Sequence, residues 1–138
     1  MHYSHLIDPS ARALAWFQRS GIQESNGGVA RYHLLAERRN LPVSTEITGY
    51  AVSAFVWGGL YPDAYRAADF LIRDAWRPAL QAMPFELADP LPPTYFFDCG
   101  IVVRSLLAAW RASSNPAYLN TARDLGLAMG RDFWSARG

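Results

Sequence analysis

The apolar positions along the chain fall into five helical blocks of two alternating kinds. The first block starts at Asp8, a good N-cap residue, followed by Pro9, whose φ is preset for a first helical turn. Ile7, Ala11, Leu14, Ala15 and Gln18 share one face, Arg12 and Arg19 lie elsewhere, and Gly21 reads as a left-handed stop. Residues 22–44 break the pattern. Ser25-Asn26-Gly27-Gly28 is a turn signal, Val29 to Leu35 alternates weakly as a short strand or extended loop, and Pro42 holds Leu41 extended.

The second block runs from about Thr45 to Leu60, capped by Ser44 or Thr45, with no charge after Glu46. Ile47, Tyr50, Ala51, Val52, Phe55, Val56 and Trp57 surround its axis, which predicts burial on all sides and places Trp57 in the core. The third block runs from Pro62 past Arg77. Tyr65, Ala68, Ile72, Ala75, Trp76, Ala79, Leu80 and Met83 line one face, and Pro78 should kink or divide it. Met83 to Phe97 holds four prolines and reads as a loop. The fourth block, Asp98 to Ala112, is apolar on nearly every side, and its stretch Ile101–Trp110 holds one internal charge, Arg104. Ser113-Ser114-Asn115-Pro116 stops it and restarts a fifth, amphipathic block from Pro116 to Trp134 through Tyr118, Ala122, Leu125, Met129 and Phe133.

This alternation predicts an all-α fold of helical hairpins in two concentric layers, inner helices apolar all round and outer helices with one wet face. A weak internal repeat points the same way. Gly49 and Gly100 each sit near the start of an inner helix, and Pro62, Ala68 and Leu71 recur as Pro116, Ala122 and Leu125 at a constant offset of 54 residues.

Composition narrows the function classes. The 138 residues fit one domain, and 51% hydrophobic content supports a real core. A net charge of +1 argues against nucleic acid or an anionic membrane as partner. One cysteine and three histidines exclude a disulfide framework and a cysteine-rich zinc site, and nothing points to a metal or organic cofactor. All 13 basic residues are arginine and 21 residues are alanine, a bias that fits a GC-rich coding sequence. Met1 to His5 lacks the start of a signal peptide, and the longest uncharged run, Ile47 to Pro62, falls short of the roughly 20 residues of a membrane span. A cytoplasmic protein is therefore expected.

Glu46 and Asp98 are the leading chemical candidates. Each opens an inner helix, one repeat apart, where carboxylates suit the helix dipole. If the helices are neighbours, both groups point to one end and can serve as general acid and base on a sugar; alternatively each caps its own helix. Tyr32, Tyr50, Trp57, Tyr95, Phe96 and Phe97 form an aromatic group, of which Tyr50 and Tyr95 are candidates to stack on a sugar ring, with core packing as the alternative. Arg31 and His33 follow Gly27-Gly28, a pair that would let backbone approach a ligand. They are candidates for a carboxylate or sugar hydroxyls, against the alternative of a solvated loop. No phosphate-loop or dinucleotide motif occurs. Cys99 reads as a small buried residue rather than a nucleophile, because Asp98 opposes its ionisation.

Three strings, Gly27-Gly28-Val29-Ala30-Arg31-Tyr32, Thr45-Glu46-Ile47-Thr48-Gly49-Tyr50 and Tyr95-Phe96-Phe97-Asp98-Cys99-Gly100, carry a resemblance. Together they resemble the six-hairpin glycosidase-like, α/α-toroid superfamily, nearest to bacterial members linked with exopolysaccharide biosynthesis. There a Gly-Gly segment precedes a Glu-x-Thr-Gly-Tyr helix start, and Phe-Asp-Thr-Gly-Gln opens the next inner helix. The resemblance spans residues 14–134 and implies a toroid with a carbohydrate-related role. It places Glu46, Tyr50 and Asp98 at the mouth of the inner ring; Arg31, Tyr32, His33, Thr48 and Tyr95 are the further substrate-binding candidates. Cys99-Gly100-Ile101 stands where the pattern has Thr-Gly-Gln, so the glutamine contact is lost. A complete ring needs about six hairpins and this chain supplies about two and a half. The expectation is one toroid-like domain over 1–138, an N-terminal part of a larger ring or a unit that closes with other copies; the bare end at Ala136-Arg137-Gly138 favours a part. An enzyme of hydrolase, lyase or epimerase type and a non-catalytic glycan- or protein-binding module are the two functional expectations. A third is a helical-repeat partner that assembles through an uncovered apolar edge.

Overall fold

In the computed structural model, residues 8–87 and 92–134 are described, and they form an all-α fold. Ile7, the N-terminal histidines and Ala136 to Gly138 lie outside them. Helix α1, Pro9–Ser20, begins and ends as its sequence dictates. The Asp8 carboxylate accepts from the Ser10 N–H at 3.0 Å, and Gly21 closes the helix at φ 73°. No residue of α1 is fully buried. It is held by Phe17 edge-on to Phe55, ring centroids 5.1 Å apart, and by Leu14 in the space that glycine leaves at position 58.

Residues 22–44 return along α2 as an irregular antiparallel ribbon bridged at Gln23–Val29 and Ala30–Val43. Its tip is a hairpin of β1, His33–Leu34, and β2, Arg39–Asn40. The glycine pair serves packing. Gly27 stands at φ +96°, and a Cβ there would lie 2.2 Å from the Arg66 carbonyl oxygen; at Gly28 it would lie 2.6 Å from Val43.

Helix α2, Thr45–Trp57, is capped by the Ser44 hydroxyl, which accepts from the Ile47 N–H at 3.2 Å. Gly58 and Gly59 end it three residues before the expected limit, glycine being costly in a helix interior. It is not buried on all sides. Val52 and Phe55 are buried, but Trp57 is 73% exposed, which corrects its placement in the core. Periodicity reports apolar positions and not whether a neighbour is present to cover them.

Helix α3 spans Tyr61–Phe70 and passes into a π-helical turn, Leu71–Ala75, closed by the Trp76 N–H donating to the Leu71 carbonyl. Sequence periodicity carried this helix past Arg77. The chain turns extended at Trp76 instead, because Pro78 lacks an N–H and disfavours helical backbone before it. Leu80 is consequently exposed, while Met83 returns to the core. Helix α4, Phe96–Ser113, starts two residues earlier than expected, and α5, Pro116–Asp132, is capped by Asn115.

Helices α2 and α4 lie side by side, with Gly49 of α2 seated against Ile101 and Ser105 of α4. Helix α3 packs on both, and α5 packs on α4 and reaches the π-helical turn, so these form a second layer. Phe70, Leu71, Leu106, Leu125 and Val102 fill the space between layers. Burying each such side chain contributes roughly 1.5–3 kcal/mol. Ala68 and Ala122, and Leu71 and Leu125, the pairs related by the sequence offset, are all buried. Gly49 and Gly100 differ: the first fits α4 against α2, the second faces Met129 of α5.

Candidate functional site

The starts of α2 and α4 are tied to one another through two stretches of the proline-rich connection. The Thr45 N–H donates to the Phe85 carbonyl at 3.0 Å, and its hydroxyl to the Pro84 carbonyl at 2.9 Å. Phe85 in turn donates its N–H to the Pro93 carbonyl at 2.9 Å, two residues before Tyr95 at the head of α4. Both helices therefore open toward the same end of the molecule. Glu46 sits in the first turn of α2 and Asp98 in the first turn of α4.

Asp98 is 6% exposed, and its Oδ2 is buried with no hydrogen-bond partner among the described residues. Its position is third in the helix rather than N-cap, so the capping role open to it in the sequence is not the one it takes. Burial, and then the charge of Glu46, push the Asp98 carboxyl above the usual carboxylate range. Cys99, 1% exposed, is pushed up to about 11 by burial and by Asp98, which leaves it a thiol and not a nucleophile.

A second set of groups adjoins them. The Arg31 guanidinium lies over the Phe85 ring at 5.3 Å, and Phe85 meets Tyr95 edge-on at 5.7 Å. Arg31 Nη2 pairs with Glu86 Oε1 at 2.7 Å. Glu86 is bridged through its backbone to Ser44, the cap of α2. Along the same face of α2, Tyr50, one turn beyond Glu46, lies beneath the Arg104 guanidinium at 5.7 Å.

Three sequence candidates fall outside this set. Thr48 is fully buried; its hydroxyl donates to the Ser44 carbonyl at 2.7 Å and accepts from the Val29 N–H at 2.9 Å, which pins the 22–30 ribbon to α2 and corrects its assignment to substrate. His33 is exposed on the hairpin, its Nδ1 2.8 Å from Asn40 Oδ1, and Tyr32 beside it is exposed. Conversely, the sequence did not single out Phe85 or Glu86, which lie in a stretch read only as loop. The signal in the sequence for Arg104 is its place as the one charge within Ile101–Trp110. Among the described residues no three His, Cys, Asp or Glu side chains come together as a metal site. A cavity of about 190 Å³ between α4 and α5, lined by Thr94, Cys99, Leu125, Met129 and Phe133 among others, takes in neither carboxylate of the pair. Among the described residues no helix is long and apolar enough to cross a membrane.

No family model, curated protein or solved structure matches the chain.

Proposed function

We propose that this protein acts on a polysaccharide or oligosaccharide with Glu46 and Asp98 as its acid/base pair, as part of an α/α toroid. The observation that carries this reading is the buried carboxyl oxygen of Asp98, without a hydrogen-bond partner among the described residues, in the first turn of α4, with Glu46 in the first turn of the neighbouring α2. Isolated buried carboxyl groups are costly and are retained where they do chemistry. Asp98, disposed to hold its proton, is the general acid that protonates a leaving oxygen. Glu46, less buried, is the base that takes a proton from water or from a sugar carbon. The exposed Tyr50, Tyr95, Phe96 and Phe97 offer apolar surface to sugar rings at the same end. The uncovered face of α2, with Tyr50 and Trp57, is the side a complete ring turns toward its lumen; further hairpins or other copies of the chain supply the rest.

The test is a panel of polysaccharides read for new reducing ends, for unsaturated products and for epimerised sugars. Asp98→Asn and Glu46→Gln are each expected to lower the rate at least about 100-fold without loss of fold. Activity is expected to fall as pH rises through the raised Asp98 pKa, since the acid then loses its proton. Glycan binding with no turnover in any of the three readouts would overturn the catalytic reading. It would favour a non-catalytic glycan-binding module, which the four exposed aromatics also fit.

A further inference from the structure

The cavity of about 190 Å³ between α4 and α5 has a buried apolar floor and a polar rim. Cys99, Leu125 and Ala128 on the floor are 1%, 1% and 3% exposed, and Met129 and Phe133 wall it. Gln81 and Asp132, both exposed, bring it to the surface. The depression on α1 around Trp16 is by contrast walled throughout by exposed side chains. Protein interiors leave few voids larger than a water molecule, and an apolar cavity of roughly 150 Å³ stays dry and admits benzene. This cavity is of that order, and a single larger side chain at Ala128 would close it. A concave apolar hollow with a few polar groups at its edge is the form of a small-molecule site.

The lining selects the ligand. Phe133 stands edge-on to Phe96 at 5.5 Å, so the wall is aromatic, and the Met129 thioether beside it also favours a ring. Gln81 Oε1 accepts from Arg131, so what Gln81 turns to a ligand is its amide N–H donors. Thr94 adds a hydroxyl. Asp132 is the one charged residue in the lining, and its carboxylate is held by Arg131. The guanidinium of Arg77, whose backbone pairs with Ala82 of the lining, donates to the Asp74 carbonyl. A carboxylate ligand would meet Asp132, and Asp98 next to Cys99, with Arg131 already engaged. An ammonium group would give up its hydration over an apolar floor for a carboxylate already paired.

We infer that this cavity binds a small, uncharged aromatic molecule bearing one hydroxyl group, its ring against Met129 and Phe133 and its oxygen toward Gln81. The site is separate from the carbohydrate reading, since neither Glu46 nor Asp98 lines it.

The test is nuclear magnetic resonance titration of the full chain, isotopically labelled at its methionine methyls, with phenol and p-cresol. Benzoate and benzylammonium serve as charged compounds of the same ring. The chain has three methionines, Met1, Met83 and Met129, so each methyl signal is assigned by substitution. The Met129 methyl is expected to shift saturably with phenol or p-cresol, and further than that of Met83. Benzoate and benzylammonium are expected to bind at least about tenfold more weakly. Ala128→Leu fills the floor and is expected to abolish the shift. Phe133→Ala removes the aromatic wall and is expected to weaken binding about tenfold. A thermal melt of each variant establishes that it is folded. No saturable shift at Met129 with either phenol, charged compounds bound as tightly as neutral ones, or a shift unchanged in folded Ala128→Leu would each overturn the site. If Ala128→Leu does not fold, Phe133→Ala decides, and unchanged affinity there would overturn it.

Discussion

Two aspartates sit on the packed faces of neighbouring helices and meet opposite treatment. Asp69, on α3, accepts from the Tyr118 hydroxyl at 2.9 Å and pairs with Arg73 at 3.2 Å. Tyr118 is correspondingly pushed up to about 12, first by burial and then by its bond to Asp69. Asp98, on α4, has one buried oxygen with no partner among the described residues and is pushed up by burial and by the charge of Glu46. The first arrangement completes every group it buries and joins α3 to α5. The second leaves polar groups incomplete at the end of the molecule where aromatic side chains are exposed. The contrast separates a polar contact that holds the fold from one that the fold must carry.

The comparison can be broken at its strongest point by emptying the core between the helix layers. Leu106→Ala is expected to cost about 2–5 kcal/mol by urea denaturation, since Leu106 is fully buried between the layers. A cost near zero would mean that the layers are not closely packed. Next in size, Tyr118→Phe removes the hydroxyl from Asp69 and is expected to cost about 1–3 kcal/mol. Parity with wild type would place Asp69 in the same class as Asp98. The smallest effect has the opposite sign. The folded pKa of Asp98 is raised, so its contribution is fully present below the unfolded pKa and is lost as pH rises through the folded value. Asp98→Asn is therefore expected to be more stable than wild type at neutral pH, with the advantage vanishing on acidification. A melting series from pH 3 to pH 8 reads it directly. A variant less stable at neutral pH would show that the carboxylate is favourably bound after all.

Local signals were legible in the sequence and tertiary ones were less so. Asp8, Ser44 and Asn115 cap the helices they precede, and the amphipathic faces of α3 and α5 bury Ala68, Leu71, Ala122 and Leu125. Glu46 and Asp98 could be paired because both open blocks of the same kind, a relation that periodicity carries. Three things were hidden. Trp57 is apolar but uncovered, which depends on a neighbour and not on the residue. The π-helical turn ends α3 early because of Pro78, whose effect was placed too far along the chain. Glu86 meets Arg31 only because a connection without periodicity folds back onto the cap of α2.

The buried thiol of Cys99 makes the first turn of α4 self-reporting. It is one residue from Asp98, almost wholly enclosed and held protonated near neutrality, so a disulfide reagent reaches it when the packing around that turn opens. Its labelling rate is then a clock for breathing where the first turn of α4 packs against α5.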